Sequence, residues 1–414
     1  MSLLDILLFI SIFSIWTILA VNVVLIFAGY MNYLTMKVHD KLPADAPFVT
    51  IMVPAHNEGI VIVRTVKSLL ALDYPQDKYE IIVINDNSSD NSAELLAQVQ
   101  SKYPNRNLKI INTDNITGGK GKSNALNIGL KEAKGSIIAV YDADNTPEKQ
   151  ALRILVSELL ADDKAGAVIG KFRTRNKNAS LLTRFINIET LSFQWMAQAG
   201  RKKLFNLCTI PGTNFVIRRS LLEKIGGWDV KALAEDTEIS FRTYLMGYIN
   251  FQPAAVTWEQ EPQTFVVWFR QRTRWVKGNI YVILKNLKLL FNPKSKAIRF
   301  DLIYFLSIYF LLMTSLVISD TVFILSVSGL VHTSINGFSN WLWFFAVILF
   351  VLGTFITITT EKGEMTLQNL LIIVLMYLVY SQMWLIVAFY GMIMYVQEQI
   401  FHKKAKWYKT QRYE

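Results

Sequence analysis

The sequence predicts an α/β protein in which a mostly parallel sheet, formed between residues 31 and 300, is fixed to a bilayer by transmembrane α-helices at both ends of the chain. Two observations carry this reading. Apolar blocks long enough to cross a membrane open and close the chain, and between them short β-branched runs alternate with amphipathic segments. A hydrophobic content of 52% and a positive mean hydropathy, high for a soluble chain of 414 residues, agree with it.

The first block, Leu3 to about Tyr30, contains Asp5 as its only charge and forms the expected span of residues 1–30. It is too long for a signal-peptide core and has no basic residues before it. Lys37 and Lys41 follow closely, which places the N-terminus outside and residues 31–300 in the cytosol. Within that region Phe48 to Val53, Tyr79 to Ile84, Leu108 to Asn112 and Ser136 to Tyr141 read as buried strands. The segments Gly59 to Leu72, Asn91 to Tyr103 and Lys122 to Ala133 read as the helices between them, giving helices on both faces of the sheet. Ser180 to Gly200 and Phe265 to Tyr281 are aromatic-rich amphipathic stretches expected to lie at the membrane surface.

The C-terminal membrane region, 301–397, contains three apolar blocks at about Leu302 to Val331, Trp341 to Thr357 and Leu367 to Val396. The tail, 398–414, carries His402, Lys403, Lys404, Lys406, Lys409 and Arg412 and is expected in the cytosol. Three simple crossings would leave it outside. Either the block from Leu367, with Gln382 near its middle, is broken or re-entrant and returns to the cytosolic side, or the tail violates the charge rule.

Lys and Arg outnumber Asp and Glu by 43 to 32, a net charge of +11, which fits nucleic acid, anionic lipid or a phosphate-bearing substrate; the location of the charges decides, and no nucleic-acid partner is expected. The single cysteine, Cys208, excludes a disulfide framework and reads as an apolar filler in a reducing compartment.

In an open parallel sheet ligands bind beyond the carboxyl ends of the strands. Polar clusters stand there in this sequence: Pro54-Ala55-His56-Asn57-Glu58 after the first strand, Asn85-Asp86-Asn87-Ser88-Ser89-Asp90 after the second and Asp142-Ala143-Asp144 after the fourth. Any one of them could be a turn or a helix cap, but together they describe a crevice. Asp142 and Asp144 offer hard oxygen ligands suited to Mg²⁺ or Mn²⁺ with a substrate diphosphate. Gly121-Lys122-Ser123 suggests a phosphate-binding P-loop, but Ile116 stands where that motif needs its first glycine, so an NTPase is not expected and the lysine is left to neutralise a diphosphate. Glu235-Asp236 opens a predicted helix, where Asp236 is either a cap or a general base. Gln271, Arg274 and Trp275 fall on one helical face and can present an amide, a guanidinium and an indole to one ligand.

These residues in this order resemble the family 2 processive glycosyltransferases, the group of cellulose, hyaluronan, chitin and poly-N-acetylglucosamine synthases. The resemblance covers about Pro54 to Trp275 and the flanking spans. It implies a GT-A-like fold and a nucleotide-sugar site of Pro54, His56, Glu58, Asp86, Lys122, Asp142, Gln271 and Arg274, with metal at Asp142 and Asp144 and Asp236 as base. Trp275, Gly212 and Glu235 are implied on the acceptor side, with Pro211 to Asn214 as part of an acceptor segment, and Lys122 matches the family's loop lysine better than Lys120.

The resemblance implies a multi-pass bacterial plasma-membrane enzyme that processively adds hexose from a UDP-sugar donor to a growing polysaccharide acceptor, inverting to a β linkage, and exports the product. Asn85 and Ala234 depart from the family's usual residues and leave the sugar open: UDP-glucose is preferred, with UDP-N-acetylglucosamine, as in poly-N-acetylglucosamine or hyaluronan synthesis, as the alternative. The rivals are a non-processive transferase acting on a lipid carrier and, from another class, a nucleotide-sensing transporter, which the lack of a row of intramembrane charges disfavours. The sequence identifies no accessory subunit.

Overall fold

A computed structural model describes residues 3–295, 297–332, 338–401 and 410–413. The basic residues from His402 to Lys409 lie outside the described residues.

The soluble domain is organised by an eight-stranded sheet of order β3-β2-β1-β4-β7-β6-β8-β5. Its first half is the predicted one: β1 (Val49–Ala55), β2 (Tyr79–Asn85), β3 (Leu108–Asn112) and β4 (Ile137–Val140) run parallel. β1, β2 and β4 read as almost unbroken apolar runs because helices cover both faces, whereas β3 at the edge is only partly buried. The helices between them are α2 (Ile62–Leu70), α3 (Ser92–Lys102) and α4 (Lys122–Glu132). α2 shows why this half was legible, since it buries Ile62, Thr65, Val66, Leu69 and Leu70, one stripe at helical spacing.

The second half is mixed. β7 (Phe215–Arg218) is antiparallel to both β4 and β6 (Ala165–Thr174), while β8 (Tyr248–Glu259) is parallel to β6, and the two-residue β5 (Thr146–Pro147) is antiparallel to β8. Two reversals at β7 therefore return β6 and β8 to the direction of β1. α5 (Ala151–Leu160) packs on one face of the sheet, with a core of Val49, Ile51, Val53, Leu155 and Val168. The other face is covered by a second core in which Ile82, Ile138 and Phe215 meet Trp195 and Met196, and Cys208 is a buried filler there.

Three helices among the described residues are long and apolar enough to cross a membrane: α1 (Leu3–Thr35), the run from α11 (Ile298–Leu306) through a π-helical stretch into α12 (Met313–Val327), and the run from Leu367 to Ile400. α13 (Phe338–Thr359) is a further apolar helix, qualifying over Phe344–Thr359 as a shorter one. The last run is α14 (Leu367–Leu375), a π-helical stretch Met376–Tyr380, and α15 (Ser381–Ile400), so it is a continuous helix and not a hairpin. Both of its ends nevertheless meet the soluble domain. Before it, Lys171 Nζ pairs with Glu361 at 2.8 Å and Arg173 Nη2 and Lys177 Nζ with Glu364 at 2.7 and 2.6 Å; at its far end Lys277 pairs with Glu398.

α6 (Leu181–Glu189) begins at a reciprocal cap, Thr183 N donating to Ser180 Oγ and Ser180 N to Thr183 Oγ1. It continues through a π-helical stretch, Thr190–Ala197, into α7 (Gln198–Phe205), which docks on α1. This docking depends on two glycines. A Cβ on Gly29 would stand 2.1 Å from the Met196 carbonyl oxygen, and one on Gly200 would stand 1.8 Å from that of Leu25, so both positions must lack a side chain for the backbones to touch. Gly200→Val is accordingly expected to cost at least about 1–3 kcal/mol through overpacking. The check is the detergent-solubilised protein's melting temperature, which should fall by several degrees; an unchanged melt would mean that α1 does not dock through Gly200.

Candidate active site

Because β7 reverses the chain twice, the carboxyl ends of β1, β2, β4, β6 and β8 and the start of β7 share one edge of the sheet. At this edge is a cavity of about 290 Å³. The residues expected to bind donor, metal and acceptor or to act as base all line it: Pro54, His56, Glu58, Asp86, Lys122, Asp142, Asp144, Gly212, Glu235, Asp236, Gln271, Arg274 and Trp275.

At one end Asp86 is held by the glycine turn that follows β3. Thr113 Oγ1 and Gly119 N donate to Asp86 Oδ1 at 2.9 and 3.0 Å, and His56 Nδ1 is 2.6 Å from the Asp86 carbonyl oxygen. Asn85, by contrast, is outside the cavity lining, and its amide donates to Asn112 on β3 at 2.8 Å.

Asp142 and Asp144 follow β4. Asp142 N donates to Thr213 Oγ1 at 3.0 Å, and Thr213 Oγ1 donates to Asn145 Oδ1 at 2.8 Å, which fixes the turn. Lys122 Nζ, at the start of α4, lies 2.6 Å from Asp142, 3.2 Å from Glu235 and 2.9 Å from the Gly212 carbonyl oxygen that accepts from it. Burial works against its charge, but Asp142 and Glu235 outweigh burial and hold the ammonium above its ordinary value. Lys120 instead donates to the Ile116 carbonyl and is exposed. Burial raises the Asp142 carboxyl; Lys122 pulls against this and Asp144 adds to it. A buried Asp144 and a half-buried Asp142 offer hard oxygens that fit a divalent cation taking its remaining ligands from a diphosphate and water. Among the described residues no group of three His, Cys, Asp or Glu side chains converges to hold a metal ion.

α9 (Glu235–Met246) starts at Glu235, with Ala234 in the capping position, so Asp236 lies inside the first turn and is not the cap. Its Oδ1 accepts from Thr237 N at 2.7 Å. A Cβ on Gly212 would come within 2.9 Å of Asp236 Oδ2, and the residue's φ of +85° is left-handed, so glycine is required at this wall of the site. Burial first, and then Glu235, push the Asp236 carboxyl up to about 7. α10 (Phe265–Asn286) brings Gln271, Arg274 and Trp275 to the same cavity, as their spacing predicts, and Arg274 Nε is buried without a hydrogen-bond partner among the described residues. An unpaired guanidinium nitrogen facing buried carboxylates is suited to a ligand phosphate.

Three further residues were not recognised from the sequence. Glu259 and Glu261 line the cavity at the end of β8, and burial, followed for Glu259 by the adjacent Glu261, raises both carboxyls. The strand-end rule would have found them had β8 been recognised as parallel to β1. Arg412 comes from the tail: its Nη1 is 2.8 Å from Asp144 Oδ2 and its Nε 3.6 Å from Glu58 Oε2, and the Tyr413 backbone exchanges hydrogen bonds with Gln260. Residues 410–413 thus lie against the soluble domain.

The sequence profile described as "Glycosyltransferase like family 2" matches residues 46–278, more than half of the chain. This chain belongs to that glycosyltransferase family. It is 48% identical over 412 residues to a protein of Bacillus subtilis (strain 168) named probable glycosyltransferase YdaM, covering 98% of this chain and 97% of the relative. It is 32% identical over 277 residues to the poly-β-1,6-N-acetyl-D-glucosamine synthase of Staphylococcus aureus (strain COL), covering 67% of this chain and 64% of that protein. A solved mannosyltransferase of Pyrobaculum calidifontis, in complex with GDP-Man and Mn²⁺, shares the fold at a TM-score of 0.62 and 22% identity, over 90% of this chain and 99% of its own. The enzyme assignment excludes the transporter alternative.

With the Asp236 carboxyl at about 7, the glycosyltransferase holds it mainly protonated, and unable to accept a proton, at lower pH. If Asp236 is the general base, transfer is expected to rise about tenfold per pH unit below 7 and to level off above it. Initial rates from mildly acidic to mildly alkaline pH check this; a flat profile would remove Asp236 as the titrating group.

Proposed function

We propose that this glycosyltransferase extends a β-linked polysaccharide from a UDP-sugar at the cytosolic face of a bacterial plasma membrane. The observation that carries the reading is the extent of the cavity. It runs from the strand-end carboxylates past Arg274 and Trp275 to Tyr304 and Phe305 on α11, so the acceptor end of the site adjoins a membrane helix. A transferase that passes its product toward the bilayer needs such continuity, and one acting on a soluble acceptor does not. Contacts of Glu361, Glu364, Glu398 and Arg412 with the soluble domain support a cytosolic tail, with α1, α12 and α13 as the crossings and the last helix returning to the domain along α10.

In this reading Asp86 and His56 hold the nucleotide end, Lys122 and Arg274 contact the diphosphate, and Asp142 with Asp144 would hold Mg²⁺ or Mn²⁺. The cation would neutralise charge on the leaving diphosphate. Asp236 removes the acceptor hydroxyl's proton as that oxygen attacks the sugar's anomeric carbon, a single displacement that inverts an α-linked donor to a β product. The Trp275 indole supports the acceptor sugar. UDP-N-acetylglucosamine is favoured over UDP-glucose, because the Staphylococcus relative is named for a poly-N-acetylglucosamine product. Incubation with single radiolabelled UDP-sugars, followed by linkage-specific hydrolases, tests this directly: incorporation from UDP-glucose alone would reverse the choice of donor, and incorporation from neither would overturn the polysaccharide reading.

Chelation with excess EDTA is expected to abolish transfer, with recovery on adding Mg²⁺ or Mn²⁺, and Asp144→Ala should not be recovered by either ion. Full activity in EDTA would dismiss the metal. Asp236→Asn, nearly isosteric but unable to take a proton, should lower polymer synthesis by about 10²- to 10⁴-fold with UDP affinity near wild type. If Glu235→Gln shows that loss instead, the base is the neighbouring carboxylate.

A further inference from the structure

Behind the Trp275 indole is a charge that the reaction described above does not use. Arg272 does not line the cavity, and it is only 1% exposed. A guanidinium buried to this degree needs an anionic partner. Its Nη2 donates to Glu189 Oε2 at 2.9 Å, and its Nη1 to Gln271 Oε1 at 3.2 Å. The guanidinium carbon is 3.9 Å from the centroid of the Trp275 ring, within stacking distance. Glu189 is in turn the meeting point of two donors from the last membrane helix. Tyr380 Oη donates to its Oε2 at 2.9 Å and Trp384 Nε1 to its Oε1 at 2.7 Å, and Trp268 Nε1 donates to Tyr380 Oη at 3.1 Å.

We propose that Glu189 is a positioning residue for the acceptor site: by fixing Arg272 it sets the orientation of the Trp275 indole, and through Tyr380 and Trp384 it references that indole to the last membrane helix. The proposal rests on the reading of Trp275 as acceptor platform. Stability alone is a poor explanation of the network, since a buried ion pair commonly contributes no more than well-packed apolar residues of the same size. Its geometry is also specific. A planar guanidinium can stack flat on an indole while its edge is held by a carboxylate, which restricts a side chain otherwise free to rotate about two bonds; a lysine could supply the charge but not the plane. The backbone is adapted for it on both sides. α6 ends at Glu189, where the π-helical stretch Thr190–Ala197 begins, and Tyr380 closes the π-helical stretch Met376–Tyr380. Such wide turns re-aim side chains and recur at functional sites.

The test uses the full-length protein in lipid nanodiscs, with polymer formation, UDP release to water and UDP binding measured side by side. Trp275→Ala is the reference and should lower polymer formation more than UDP release. Glu189→Gln is expected to lower polymer formation by about tenfold, within what a misplaced binding group costs, with UDP release and UDP binding changed less than about twofold. Arg272→Lys should behave in the same way, and Glu189→Gln combined with Trp275→Ala should be no worse than Trp275→Ala alone, the non-additivity of residues acting as a unit. Tyr380→Phe, which removes one hydroxyl, provides a milder variant should Glu189→Gln fold poorly, and should shift the same ratio in the same direction. Equal losses of polymer and UDP release in Glu189→Gln and in Tyr380→Phe, or an additive double variant, would overturn the proposal and leave Trp275 as it is. Equal losses in Trp275→Ala itself would instead overturn the acceptor reading on which it rests.

Discussion

Like charge gathered at one sheet edge is the constraint on which this structure turns. Glu58, Asp86, Asp142, Asp144, Glu235, Asp236, Glu259 and Glu261 all line a single cavity. In a site of low dielectric so many carboxylates cannot all be ionised without compensation. Some are protonated more readily, as the rises at Asp142, Asp236, Glu259 and Glu261 indicate. Others are met by cations brought from distant parts of the chain: Lys122 from α4, Arg274 from α10 and Arg412 from the tail. The same pressure suits the edge to a ligand that arrives with cations of its own, as the proposed metal-diphosphate would.

Much of the arrangement was readable from the sequence because local and global signals agree. Three strands of the parallel half, β1, β2 and β4, are buried on both faces, so each appears as an apolar run, and each of these strand ends carries its polar cluster close behind. Gln271, Arg274 and Trp275 were placed on one face by helical spacing alone, and the structure turns that face to the cavity. What stayed hidden depends on long-range pairing. β7 reverses direction between two parallel pieces, and no local pattern reports that reversal, so Glu259 and Glu261 could not be assigned to the ligand-binding edge. Arg412 was obscured differently, as one more cation in a basic tail whose role is fixed only by what it touches. Asn85, which departs from the family pattern, spends its amide on Asn112 of the neighbouring strand, a contact that only the pairing of β2 with β3 reveals.

The membrane and soluble parts are joined by contacts of two physical kinds. Where α7 meets α1, backbone touches backbone, which Gly29 and Gly200 make possible. Where the turn after α13 meets β6, the contact is ionic and buried, with Glu364 only 1% exposed between Arg173 and Lys177, and Asn187 and Asn369 donating to it. Close packing resists sliding, and a buried, multiply hydrogen-bonded charge is screened little by salt.

That ionic fastening bears on how the enzyme can be handled. A soluble fragment ending near residue 300 would retain Lys171, Arg173 and Lys177 but lose the acids that neutralise them, and would present a cluster of like charge beside the strand that forms one wall of the site. The domain therefore cannot be treated as a detachable headpiece. Its electrostatic balance is completed from within the membrane region, and the smallest faithful unit for biochemistry is the chain with its helices in place.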